Sequence, residues 1–355
     1  MPLVPPYIAS LTPYVPGRTP EQLGIANAIK LSSNENPLGP SPMAVAEMQK
    51  VLHNLHRYPA GGLRLRILLA EQFGLKVQNV ITGSGSEGIL ANIIRTFLGD
   101  DDEVLTTEGG FIGIRVLVQS RGVPLRTVPY RDYHFDLEAL ASAITEQTKI
   151  IYLANPNNPT GTIFTKVEFD KFYRHVPERV LIILDEAYFE YARDHPRYPD
   201  SMSYRYDNVI TLRTFSKAYG LAGVRIGYGF AHEDLISNLL KVKLPFEPSA
   251  VAEAAGIGAL QDHEFLQRTL ELNRQSLGML REALDGCPVI PSHANFLMVL
   301  PPYPTSFTQA LLDRGVIIRP LDSFGLPQAV RISTGTLEET ERACMAIQEV
   351  REECR

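Results

Sequence analysis

The sequence predicts an α/β protein: a mostly parallel seven-stranded sheet in a large, helix-flanked domain, followed by a smaller α+β domain. Three observations carry this. From about residue 75 to 230, short apolar runs alternate with helical patterns. Several of the runs are apolar throughout instead of alternating, as expected when both faces of a sheet are covered. After a long helical pattern from Glu264 to Leu284, strands and helices are mixed.

Residues 1–40 are rich in proline and turn residues, as in Ser33-Asn-Glu-Asn-Pro-Leu-Gly-Pro-Ser-Pro42. They predict an ordered arm of turns, without helix or strand, that joins the small domain. Residues 41–263 form the predicted large domain and 264–355 the small one. The expected strands of the large sheet are Val80–Thr82, Glu103–Thr106, Leu125–Val128, Ile150–Leu153, Val180–Leu184, Val209–Leu212 and Val224–Tyr228. The small domain is expected to hold strands at Phe296–Leu300, Val316–Arg319 and Ala329–Ser333. Its last helix opens at Thr336-Leu-Glu-Glu339, a capping box.

With 45% hydrophobic and 21% charged residues, the 355-residue chain has the composition of a soluble globular protein. A net charge of −6 and the lack of a basic block give no footprint for nucleic acid. No apolar run approaches the roughly 20 residues that span a bilayer. The first residues lack the charged and apolar regions of a secretory signal. The three cysteines, Cys287, Cys344 and Cys354, have no metal-type spacing. Cys344 lies at helical spacing with Leu337, Ile347 and Val350, which predicts a core thiol. A reducing, cytoplasmic setting is expected. His53-Asn-Leu-His56 has helical ligand spacing but no second cluster, so no metal is expected.

Three strand-like runs each end near one polar residue: Asn155, Asp185 and, in Arg213-Thr-Phe-Ser-Lys217, a lysine. A lysine to condense with an aldehyde and an acid for a ring nitrogen together fit pyridoxal phosphate. Asp185, after four aliphatic residues, needs a cationic partner. A protonated pyridine is one candidate; a salt bridge or a helix cap is the other. Tyr188, three residues on, either reaches the ring's phenolic oxygen or packs in the core. Asn155 opens Asn155-Pro-Asn-Asn-Pro-Thr-Gly161, whose prolines and glycine aim one amide at the site.

Gly83-Ser-Gly85-Ser86-Glu87-Gly88 joins a strand to a helix and suits a phosphate group. Ser216 and Arg225 complete that cup. Phe111 is an aromatic that either stacks on a ring or packs in the core. Arg331, in Val330-Arg-Ile-Ser-Thr-Gly335, has the fork that matches a carboxylate, and Arg319 lies on a neighbouring strand.

The chain resembles the fold type I pyridoxal-phosphate-dependent aminotransferases, and among them the histidinol-phosphate aminotransferases. The strings that carry the resemblance are Ser33-Asn-Glu-Asn-Pro37, Arg57-Tyr-Pro59, Asn155 to Gly161, Asp185-Glu-Ala-Tyr188, Thr214-Phe-Ser-Lys217 through Gly227, and Arg331-Ile-Ser-Thr-Gly335. They run from the arm to the last helix. The resemblance implies an aspartate-aminotransferase-like fold, with Lys217 as the Schiff-base lysine and Asp185 as the pyridinium partner. It implies Asn155 and Tyr188 at the phenolic oxygen and Phe111 as the stacking ring. Gly85, Ser86, Glu87, Ser216 and Arg225 are implied at the phosphate.

Tyr58, by the same resemblance, reaches the cofactor of a neighbouring subunit, which implies a homodimer. Arg331 is implied at the substrate's α-carboxyl position, with Tyr14, Arg319 and Asn36 as further substrate contacts. Two loops depart from the family: Ala60-Gly-Gly62 stands where Asp often follows Arg-Tyr-Pro, and Gly109-Gly110 replaces Pro-Thr before the aromatic.

The implied reaction is transamination of histidinol phosphate with 2-oxoglutarate, giving imidazole acetol phosphate and glutamate. The alternatives are an aromatic or broad-range transaminase, a phosphothreonine decarboxylase and a non-catalytic regulator domain.

Overall fold

The computed structural model describes residues 3–13, 17, 19–25, 27–201, 204 and 207–353. Seven strands form the large sheet: β1 Val80–Gly83, β2 Glu103–Thr107, β3 Leu125–Val128, β4 Thr148–Ala154, β5 Leu181–Asp185, β6 Val209–Thr214 and β7 Gly227–Phe230. Their order across the sheet is β1-β7-β6-β5-β4-β2-β3. All neighbours are parallel except β7, which runs antiparallel to β1 and β6. Every residue of β5 and β6 is buried, because helices cover both faces.

Register decides where the polar strand ends meet. Ala154 pairs with Asp185, and Asp185 with Leu212. The carboxyl ends of β4, β5 and β6 therefore open at one edge, where α/β sheets place their ligands. β7 begins later than the expected Val224, and this corrects the sequence reading. Ala222–Val224 form a single 3₁₀ turn and Arg225 is left-handed (φ 58°), so extended backbone starts only at Gly227. That detour holds Arg225 at the same sheet edge, since Gly227 pairs with both Thr214 and Gly83.

The arm also differs from expectation. It contains helical turns at Pro6–Ala9 and Pro20–Leu23 and a strand at Ile29–Lys30, parallel to Val316–Ile317. Ile29 and Leu31 are buried and drive this pairing by entering the second core with Leu280, Leu297 and Ile347. The expected strand Val316–Arg319 splits in two. Val316–Ile317 takes the arm as partner, while Arg319–Pro320 pairs with β9 (Val330–Ser333), which also pairs with β8 (Phe296–Val299).

The last helix, Leu337–Glu353, starts as predicted. Thr336 N donates to Glu339 Oε2 (2.8 Å), and Glu339 N donates to Thr336 Oγ1 (3.1 Å). Cys344, Ile347 and Val350 enter the core, but Leu337, at the first turn, is exposed. Cys354 lies outside the described residues. Among the described residues, no helix is long and apolar enough to cross a membrane.

Candidate active site

Two adjoining cavities open at the carboxyl edge of the large sheet. The inner one, about 220 Å³, is walled by Asp185, Tyr152, Tyr188, Lys217, Arg225 and Phe111, among others. The outer one, about 290 Å³, shares Glu87, Phe111, Asn158, Tyr188 and Lys217 with it and reaches Arg319 and Arg331. A larger open cleft of about 1300 Å³ between the arm and the helix Ile112–Arg121 contains neither Lys217 nor Asp185. It meets the outer cavity at Gly17, Ile112, Val116 and Arg319, and so leads toward it.

Lys217 stands where the cavities join, with Nζ donating to the carbonyl oxygen of Ser33 (3.3 Å). Burial, then the positive charges of Arg331 and Arg225, lowers its pKa to about 8, against the opposing pull of Glu35 and Asp185. Asp185 ends β5 at the back of the inner cavity. Burial raises its carboxyl to about 6, opposed by hydrogen bonds from Tyr152 and the Ala187 N–H. Tyr188 is buried, and its hydroxyl accepts from Asn34 Nδ2 (2.8 Å), which leaves the phenolic proton for the cavity.

The glycine-rich turn lies where β1 meets the helix Gly85–Phe97. Gly85 has φ +78°, and a Cβ there would stand 2.7 Å from Arg225 Nη2. Arg225 Nη1 donates to Ser216 Oγ (3.3 Å). The Glu87 carboxylate lies 3.9 Å from Arg225 Nη2, an anion held beside that guanidinium. Ser84 N donates to Glu247 Oε1 (2.7 Å), which anchors the turn from outside; the sequence reading gave Glu247 no role. Phe111 caps the helix Ile112–Arg121, and a Cβ on Gly113 would come within 2.4 Å of its ring.

Two of the expected site asparagines bond within the protein. Asn155 Nδ2 donates to the Phe164 carbonyl (3.2 Å), and its Oδ1 accepts from Phe164 N (3.1 Å). The segment after it doubles back, with Gly161 N donating to Asn157 O, so the strand-end amide zips the exit to the return. Asn158, at the apex, faces both cavities instead. Asn36 is likewise spent, donating to Ala218 O and Thr269 Oγ1 and accepting from Leu38 N. Ser32, Ser33 and Asn34, together with Gly17, bring the arm to the outer cavity.

Arg331 is 5% exposed. Its Nη1 donates to Asn158 Oδ1 (2.5 Å) and its Nη2 to Ser32 O (2.8 Å). Arg319 is its direct cross-strand partner. Tyr58 lies outside both cavities, 80% exposed and stacked on Phe246 at 4.2 Å. Tyr14 falls outside the described residues. Tyr152 donates to Asp185 Oδ2 at 2.6 Å. Its only sequence signal was a hydroxyl inside an otherwise apolar strand.

The family model for class I and II aminotransferases matches residues 26–347. Histidinol-phosphate aminotransferase of Anaeromyxobacter sp. is 41% identical over 359 residues, covering 98% of each chain. The solved structure of histidinol-phosphate aminotransferase from Sinorhizobium meliloti, in complex with pyridoxal-5'-phosphate, matches at TM-score 0.90 and 32% identity, covering 100% of this chain and 99% of that one. Aspartate aminotransferase from Thermus thermophilus with maleate matches at TM-score 0.86, covering 99% of this chain and 100% of that one; at 21% identity the likeness speaks to the fold.

Proposed function

This chain belongs to the class I and II aminotransferases, and from that footing we propose that it transfers the amino group of histidinol phosphate to 2-oxoglutarate, using pyridoxal phosphate. The observation that carries the reading is the pair of joined cavities. A depressed lysine stands at their junction, with a carboxylate behind it and a buried arginine in front.

The residues present fit the cofactor. A Cβ at Gly85 would crowd Arg225, so the turn is shaped to let an anion approach backbone N–H groups and a guanidinium. Glu87 contributes through its main chain, and its carboxylate yields Arg225 to the phosphate. When bound, pyridoxal phosphate supplies an aldehyde for the amine and a ring that accepts the electron pair left when the substrate Cα–H bond breaks. Asp185 would pair with the ring nitrogen, Tyr188 and Asn158 would hold the phenolic oxygen, and Phe111 would cover one face. Gly85, Ser86, Ser216 and Arg225 would hold the phosphate. Lys217, with a value near 8, has a substantial neutral fraction at physiological pH. Its neutral amine would hold the aldehyde, and the same group would move a proton at the substrate Cα. Arg331 forks onto the anionic group next to the reacting carbon, with Arg319 beside it.

The same reading makes the protein a cytoplasmic homodimer. Tyr58 is exposed here with Leu52, Leu55, Leu63, Leu244 and Phe246, which together supply apolar surface for a second copy. The partner copy then receives Tyr58 at its cofactor phosphate. We assign residues 1–40 to an arm, 41–263 to the large domain and 264–355 to the small one.

Steady-state kinetics with 2-oxoglutarate test the substrate. We expect kcat/KM for histidinol phosphate to exceed that for phenylalanine by at least about 100-fold, since charged recognition of a phosphate is worth several kcal/mol. Values within about tenfold would assign a broad-range transaminase, and carbon dioxide release would assign a decarboxylase. Gly85→Ala tests the phosphate cup. Its strained φ costs about 1–2 kcal/mol of stability, and its methyl displaces Arg225. We expect cofactor affinity to fall at least about tenfold, read by equilibrium dialysis, while the fold persists.

A further inference from the structure

Resting on the reading above, we propose that Tyr152 is a positioning residue: its hydroxyl fixes the orientation of the Asp185 carboxylate and keeps it ionised. Tyr152 is 1% exposed in β4, beside Ile183 of β5. Its hydroxyl reaches diagonally to Asp185 Oδ2 at 2.6 Å, a short, charge-assisted bond between two buried groups. The other oxygen, Oδ1, accepts from Ala187 N (3.2 Å). Each carboxylate oxygen thus has one fixed donor, and only the lone pairs directed at the inner cavity remain for a ligand. Its cross-strand neighbour Ile183 is aliphatic, so phenylalanine would keep the ring's packing in the core cluster.

The electrostatics agree in sign. Burial drives Asp185 toward its neutral form, and the charge of Glu87, on the helix Gly85–Phe97, pushes the same way. Against these stand the Tyr152 hydroxyl, the Ala187 N–H and Lys217, with Tyr152 the largest of the three. Tyr188 and Arg225 also face the inner cavity beside the carboxylate. Burial and the Asp185 charge hold the Tyr152 phenol well above its ordinary value, so it stays a donor throughout the working range.

The consequence concerns one proton. A carboxylate and a pyridine nitrogen in contact share it, and the more basic partner keeps it. Without the Tyr152 hydroxyl, Asp185 becomes more basic, and the proton shifts from nitrogen to carboxylate with no change in composition. The electron-accepting power of the ring falls accordingly.

Tyr152→Phe keeps the ring and its volume, so the sheet is expected to fold. In the apoprotein, carbon-13 NMR of labelled aspartate should show the Asp185 titration midpoint rising by about one unit. 3-Fluorotyrosine at position 152, a stronger donor, should lower it. In the enzyme loaded with nitrogen-15 pyridoxal phosphate, the ring nitrogen resonance of Tyr152→Phe should move toward the unprotonated position. With it, kcat should fall about tenfold while KM stays within about twofold. An Asp185 midpoint that neither substitution moves overturns the proposal. The apoprotein titration needs no cofactor, so it decides this point separately. A wild-type protein that takes up no pyridoxal phosphate would instead overturn the reading of function.

Discussion

Lys217→Ala is expected to lower kcat by at least about 10³-fold, because it removes two functions of one side chain. The amine that anchors the cofactor is lost, and so is the base that moves the proton between Cα and C4′. Borohydride reduction should add the mass of the cofactor to the wild-type chain and nothing to the variant. The environment of Lys217 makes a second, pH-dependent expectation. Only the neutral amine condenses, and its pKa is depressed to about 8 by burial first and by the charges of Arg331 and Arg225 next. Uptake of pyridoxal phosphate by the apoprotein should therefore quicken as pH rises and level off above about 8. A lysine in water would keep gaining neutral form to about 10.4. A profile still climbing at that pH would remove Lys217 from the dry junction of the two cavities.

What could be read in the chain followed from periodicity. Asp185 and Lys217 were legible because β5 and β6 are apolar runs that stop abruptly, and parallel strands bring such stops to one edge. Arg319 and Arg331 were legible as strand residues, but only the antiparallel register sets them opposite each other. What was not legible shares a cause, namely side-chain direction inside irregular backbone. Asn155 and Asn158 belong to one string, and the doubling back of the chain between Asn157 and Gly161 decides which amide faces the cavity. Asn34 and Asn36 are separated by one residue, and the left-handed conformation of Asn34 (φ 54°) separates their roles. Spacing carries no trace of either. Tyr152 escaped for another reason. Its partner lies on the next strand, 33 residues away in sequence, so within its own strand it reads as core.

Arg331→Ala should carry the second large loss, a fall in kcat/KM of roughly 10²–10³-fold, for two additive reasons. The substrate anion loses a buried, forked donor. Asn158 Oδ1 and the Ser32 carbonyl also lose the guanidinium that joins them, which loosens the amide proposed for the phenolic oxygen. Histidinol phosphate and glutamate should both suffer, since glutamate carries a carboxylate on its reacting carbon and histidinol phosphate a phosphate on the adjoining hydroxymethyl group. Arg331→Lys should restore only a small part, because an ammonium keeps the charge but cannot bridge Asn158, Ser32 and an anion in one plane. The charge also acts on Lys217, as the largest of the charge effects that depress it. In Arg331→Ala the plateau of cofactor uptake should therefore move to higher pH, a readout independent of substrate. If Arg319→Ala produced the greater loss in kcat/KM and Arg331→Ala left the plateau in place, the anion site would belong to the opposite strand.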